Sequence, residues 1–86
     1  LNPPVISSSD MMMATAVYLG RTVATIRSTG FSSLADVINA VRMAAGGLAG
    51  VVQLSLRNAT RGWRENRAVY ILPPSRKEGI QLTFAF

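Results

Sequence analysis

The spacing of hydrophobic residues changes once along the chain, near its middle. Between residues 34 and 45, apolar positions recur every three or four residues, which is typical of a helix that packs through one face. These positions are Leu34, Val37, Ile38, Val41 and Ala45. From residue 52 onward, apolar and polar residues alternate, as they do in strands with one buried face. The pattern therefore predicts one amphipathic helix followed by strands.

Both ends of the predicted helix carry sequence signals. Ser32 or Ser33 can cap the first turn, because a serine oxygen accepts a hydrogen bond from a backbone N–H that has no partner within the helix. Taking Ser33 as the cap places Asp36 at the third helical position, the acidic member of a box-like cap. Gly46 and Gly47 follow the last apolar position and predict the end of the helix.

Three segments after the helix show the alternation of strands. They cover residues 52–57, 68–72 and 80–86. The first connection, residues 58–66, is long and contains Gly62, whereas Pro73, Pro74 and Gly79 interrupt the second. We therefore predict three strands on the C-terminal side of the helix.

Residues 11–28 allow three interpretations. A run of methionines after Asp10 favours a short helix capped by that residue and followed by one strand, whereas the later Thr, Val, Tyr and Ile residues favour strands. Gly20 and Arg21 fit the turn of a hairpin that joins residues 14–19 to residues 22–28. A single long strand with a bulge at Gly20 is the third interpretation. We favour mostly strand.

Together these elements predict an α+β fold. One amphipathic helix packs on an antiparallel sheet of four to five strands, in the order β(β)αβββ. Residues 1–10, which include Pro3 and Pro4, form an extended lead-in, and residues 11–86 form a single α+β domain. A length of 86 residues fits one domain.

The composition excludes several kinds of chemistry. The chain has no His and no Cys, which removes thiol nucleophiles, imidazole bases, disulfides and Cys/His zinc sites. Its four carboxylates, Asp10, Asp36, Glu65 and Glu78, fall in the lead-in, the helix cap and loops, where a catalytic pair is not expected. We therefore expect a protein that is not an enzyme, with no catalytic residue, no metal and no cofactor.

Positive charge is concentrated in one segment. Of the nine Lys and Arg residues, four lie between positions 57 and 67, together with the only Trp. Arginine binds phosphate through parallel N–H groups, and Trp can stack on a base. We predict that this Arg- and Trp-rich hairpin loop binds nucleic acid, either DNA or RNA. The predicted binding residues are Arg57, Arg61, Trp63, Arg64, Arg67, Arg76 and Lys77.

The strand pattern adds a surface to this hypothesis. If the strands pair in register, Arg57 and Gln53 share the solvated face of the sheet. Either Tyr70 or Arg67 joins them, depending on how the next strand pairs, and the result is a platform for single-stranded nucleic acid. The alternative is an ordinary charged edge that discourages aggregation, with Trp63 folded back onto the core.

The C-terminal strand suggests a different class of function. It begins at Ile80, ends at Phe86 and carries no charge. As a sheet edge it would pair with a second copy of the chain, giving a homodimer. The alternative function is therefore a homo-oligomeric or partner-binding assembly module, of the phage, conjugation or secretion type.

The sequence also bears on location. The longest uncharged stretch of the domain, residues 43–56, has 14 residues, fewer than the roughly 20 that a membrane span needs. No signal peptide is visible, so we expect a cytoplasmic location, although a chain that begins with Leu1 leaves open the removal of a leader. Asn58-Ala59-Thr60 matches a glycosylation acceptor, a triplet that is common by chance.

Overall fold

The computed structural model describes residues 4–74 and shows, within them, a helix packed against a four-stranded antiparallel sheet. The elements are β1 (Met12–Tyr18), β2 (Arg21–Ser28), α1 (Leu34–Ala44), β3 (Gly50–Asn58) and β4 (Trp63–Ile71). The strand order in the sheet is β2-β1-β3-β4. The predicted α+β fold is confirmed, and the last predicted strand, residues 80–86, lies outside the described residues.

The segment before the helix is a hairpin of two strands, β1 and β2. The strand interpretation is confirmed, and the alternative of a helix after Asp10 is wrong. The turn lies at Leu19 and Gly20, one residue earlier than predicted. Both residues have positive φ angles, 48° and 79°, as a type I′ hairpin turn requires. Leucine is unusual at such a position, which is why the sequence pointed to Gly20 and Arg21 instead.

The connection between β3 and β4 is shorter than the predicted loop of residues 58–66. Strand β3 ends at Asn58 and β4 begins at Trp63. The backbone N–H of Gly62 donates to the carbonyl of Asn58 at 2.8 Å, which closes the turn. Residues 63–67 therefore belong to a strand, and the pairing with β3 determines which way their side chains point.

The helix is capped by the residues that the sequence indicated. Oγ of Ser33 accepts a hydrogen bond from the backbone N–H of Asp36 at 3.3 Å. A carboxylate oxygen of Asp36 accepts from the backbone N–H of Ser32 at 3.0 Å. Two backbone donors at the N-terminus are thereby satisfied. The helix ends at Ala44, just before Gly46, whose φ is 69°.

The core lies between α1 and one face of the sheet. The helix lies over β1 and β2, where the buried sheet residues are mostly alanines whose small side chains allow a close approach. Larger side chains fill the region under β3. The buried apolar residues are Met12, Ala14, Ala16, Ala24, Val37, Val41, Val52, Leu54, Leu56 and Ile71. The opposite face of the sheet, which we call the open face, is not covered by the helix.

Replacement of Leu19 by Asn is expected to stabilise the protein. Leu19 is 83% exposed, so it contributes little packing. Its positive φ strains a leucine, whereas Asn adopts this conformation readily and Asn-Gly favours the type I′ turn. The free energy of unfolding should rise by about 0.5–1 kcal/mol in urea denaturation. Leu19→Ala is the control, because it removes the same exposed surface but keeps the strain; equal stabilisation by both variants would contradict the explanation.

Candidate functional site

Strand β4 divides the Arg- and Trp-rich segment between two faces of the sheet. Successive side chains of a strand point to opposite faces. Trp63, Glu65 and Arg67 pair with buried residues of β3 and lie on the helix side. Arg64 and Asn66 pair with exposed residues and lie on the open face. The segment that the sequence suggested as one cluster is therefore two separate groups.

A row of three arginines and one methionine crosses the four strands on the open face. The register aligns Arg27 of β2, Met13 of β1, Arg57 of β3 and Arg64 of β4. We call these four residues the arginine row. Because neighbouring strands are about 4.8 Å apart, the row extends over about 14 Å. Its three arginines are exposed.

The arginine row holds like charges close together. Arg57 and Arg64 are direct cross-strand partners, an arrangement that destabilises a sheet when both charges have the same sign. Within residues 4–74 the ion pairs join Arg61 to Asp10 and Arg67 to Glu65. Neither arginine of the cross-strand pair therefore has a carboxylate partner there. A bound anion would relieve the repulsion.

A second row, of hydroxyl and amide side chains, runs beside the first. The same register aligns Thr25, Thr15, Ser55 and Asn66, which we call the polar row. The two rows are two residues apart along the strands, about 7 Å. Between them lies a depression of about 320 Å³. Its lining consists of Met13, Thr15, Ser55, Leu56, Arg57, Arg64 and Asn66, with no carboxylate. The depression therefore offers cations and neutral hydrogen-bonding groups to a ligand.

The far end of the open face is apolar. Val51 pairs with Tyr70, and both are exposed, Tyr70 by 65%. The register places Tyr70, rather than Arg67, on the same face as Arg57 and Gln53. Tyr70 is six residues from Arg64 along β4, a separation of about 20 Å. The open face thus has a basic end and an apolar end.

Arg61, one of the predicted binding residues, has partners inside the protein. Its Nε donates to Oδ2 of Asp10 at 2.6 Å, and Nη2 donates to Oγ of Ser7 at 2.7 Å. Asp10 is only 2% exposed. Arg61 therefore neutralises a buried carboxylate and fastens the lead-in to the β3–β4 turn.

The carboxylate of Asp10 is the centre of this polar network. Oδ2 accepts from Nδ2 of Asn58 at 2.9 Å, from the backbone N–H of Ser7 at 3.0 Å and from Arg61. These hydrogen bonds, led by that from Asn58, lower the pKa of Asp10 to about 2, since they favour the ionised form. The side-chain oxygen of Asn58 accepts from the backbone N–H groups of Thr60 and Arg61. Asn58 is fully buried, so its amide is not accessible for glycosylation in the folded protein.

Trp63 and Arg67 also have internal partners. Nε1 of Trp63 donates to the carbonyl of Val5 at 2.9 Å, and its ring packs against the core. Nη2 of Arg67 donates to Glu65 at 2.5 Å. Of the predicted binding residues, Arg57 and Arg64 therefore remain on the open face. Arg76 and Lys77 lie outside the described residues.

Three residues of the open face were not predicted from the sequence. Arg27, Thr15 and Asn66 were not singled out, because each becomes part of a row only through pairing between strands. The alternation within residues 22–28 and 63–71 is the signal that could have placed them on one face.

The chain matches no family model, no curated protein and no solved structure. Between residues 4 and 74, no group of three or more His, Cys, Asp or Glu side chains is placed to hold a metal ion. The same part of the chain contains no helix that is long and apolar enough to cross a membrane. The candidate site is therefore defined by its geometry and charge.

The Asp10 network predicts a specific acid dependence of stability. Because the pKa is about 2 in the folded protein against an ordinary 3.8, the unfolded chain takes up this proton first as the pH falls. The stabilisation is complete above about pH 4 and disappears as the pH passes through the folded pKa. Asp10→Asn should be less stable than the wild type at neutral pH, and the difference should shrink toward pH 2.

Urea denaturation followed by Trp63 fluorescence measures both proteins across this pH range. Arg61→Gln is the companion variant, since it keeps the carboxyl group but removes its cation, and its deficit should also shrink in acid. A difference between wild type and Asp10→Asn that stays constant from pH 7 to about pH 2 would show that ionised Asp10 does not stabilise the fold.

Proposed function

We propose that this protein is a non-enzymatic nucleic-acid-binding domain, and that the open face around the arginine row is its binding surface. The observation that carries the proposal is the direct pairing of Arg57 with Arg64, both exposed and without a carboxylate partner among residues 4–74. A phosphate placed between them replaces repulsion by charge-assisted hydrogen bonds.

The shape of the basic surface supports a polymer rather than a single small anion. Three arginines spread over about 14 Å can contact successive phosphates of one strand. The polar row beside them supplies hydrogen-bonding groups, and the formal charge of +5 favours association with a polyanion. Each of these features is expected of a surface that binds a sugar–phosphate backbone.

The proposal differs from the sequence hypothesis in where the ligand lies. Arg61 and Trp63 are held by Asp10 and Val5, so they support the β3–β4 hairpin instead of projecting from its tip. The proposed contacts are Arg27, Arg57 and Arg64 on the sheet itself. Arg76 and Lys77 remain predicted supporting contacts.

Replacement of Arg57 and Arg64 by Gln should weaken binding and its dependence on salt. Anisotropy of a labelled single-stranded oligonucleotide gives the affinity at several salt concentrations. The double variant should lose at least about tenfold at 50 mM salt, and the slope of log affinity against log salt should fall by about 1.4, for two lost phosphate contacts. The variant should also melt higher than wild type, because a like-charge pair has been removed.

Arg21→Gln is the matched control for the single variants Arg57→Gln and Arg64→Gln. Arg21 is exposed but pairs with Tyr18 at the opposite end of β2, away from the arginine row. Its loss removes the same charge without removing a proposed contact. If Arg21→Gln weakens binding as much as Arg57→Gln, net charge rather than the arginine row explains the affinity. Failure of the wild type to bind at low salt would contradict the proposed function.

A second candidate function is assembly with another copy of the chain. Val51 and Tyr70 are at least half exposed at the apolar end of the open face, and Leu72, which follows β4, is 54% exposed. Such side chains favour protein contacts. Light scattering after size exclusion tests this candidate with wild type and Tyr70→Ser. A dimer that Tyr70→Ser dissociates would support assembly through this end, whereas a wild-type monomer at all concentrations would exclude it.

A further inference from the structure

We infer that the open face binds single-stranded nucleic acid with one unpaired base seated in the depression between the two rows, and that Asn66 reads that base. This inference rests on the proposed function and adds the strandedness of the ligand and a residue that determines specificity. It depends on the position of the depression, on the chemistry of its lining and on the elements that surround it in residues 4–74.

The depression lies where a base would follow its phosphate. Arg57 and Arg64 border it on one side, and the polar row lies about 7 Å further along the strands. A nucleotide whose phosphate contacts both arginines therefore reaches Ser55 and Asn66 with its base. Met13, in the middle of the arginine row, adds an apolar surface against which a flat ring can pack.

The size of the depression suits one base. Its volume of about 320 Å³ is at the lower end of the roughly 300–1,000 Å³ found for small-molecule pockets. Tyr70, the exposed aromatic residue of this face among residues 4–74, lies about 20 Å from Arg64 along β4 and cannot contact the same nucleotide. Recognition of the base thus falls to the lining of the depression rather than to aromatic stacking.

Asn66 has the chemistry that distinguishes bases. Its amide presents a donor and an acceptor side by side, which can form two hydrogen bonds with a base edge. Ser55, its cross-strand partner, and Thr15 have hydroxyl groups that donate or accept as required. Asn66 is exposed, and no hydrogen bond occupies its side chain within residues 4–74. It is therefore the residue of the depression best placed to read a base.

The open face, which has the helix on its other side, favours a single strand over a duplex. Base edges of a duplex are reached only by an element that enters a groove. In the described part of the chain the helix lies on the other side of the sheet, and the hairpin turns have two and four residues. An unpaired base can turn toward the sheet and enter the depression, whereas a duplex can offer this surface only its phosphates.

The test compares three ligands of equal length by anisotropy: a single strand of about 12 nucleotides, the same strand without bases, and the corresponding duplex. The wild type should bind the base-bearing strand at least about tenfold more tightly than the abasic strand or the duplex. Asn66→Ala should lose at least about fivefold for the base-bearing strand, with unchanged affinity for the abasic strand and an unchanged salt slope.

Asn39→Ala is the matched control, because Asn39 is an exposed residue of the helix on the other side of the sheet. It should bind all three ligands as the wild type does, and thermal unfolding should show every variant to be folded. Base-bearing and abasic strands that bind within about twofold of each other would overturn the base site, while salt-dependent binding of both would leave the proposed function standing. An equal loss for both strands in Asn66→Ala would overturn the role of Asn66. Absence of binding to all three ligands would overturn the proposed function itself.

Discussion

Strand β3 is paired on both sides, and its register with β1 and β4 determines what each face of the sheet presents. Val52, Leu54 and Leu56 are at most 2% exposed, and burial of such a side chain contributes about 1.5–3 kcal/mol. A slip of one residue would expose all three. Repulsion between Arg57 and Arg64 is worth about 1 kcal/mol at most. Burial of the core therefore keeps the two arginines opposite each other.

A polar network around Asp10 joins the lead-in to the β3–β4 turn. Asp10 is tolerated there because three donors meet one of its oxygens. Asn58 and Trp63 both donate to the carbonyl of Val5, so the strand ends hold the lead-in against the sheet. Charged and aromatic residues near a hairpin turn thus serve the interior of this protein as well as its surface.

The sequence predicted those features that depend on neighbouring residues. The helix cap at Ser33 and Asp36 and the alternation of β3 are local patterns, and the structure has both. The pairing of Arg61 with Asp10 joins residues 51 positions apart, and no local pattern indicates it. The arginine row has the same origin, since Arg27 and Arg64 lie on β2 and β4, the two outer strands of the sheet that residues 4–74 form. Composition identified an arginine-rich segment, but the face of the sheet on which each of its side chains lies follows only from strand pairing.

The sheet order implies how the chain assembles. Strands β1 and β2 form one local hairpin and β3 and β4 form another, and within residues 4–74 the strand pairing that joins them is that of β1 with β3. Local pairs form quickly, whereas a contact that closes a long loop forms late. Met13 and Thr15 come from the first hairpin, and Arg57, Arg64 and Asn66 come from the second. The depression therefore forms only when the two hairpins pair through β1 and β3. A ligand bound there would contact both hairpins and stabilise this late contact between them.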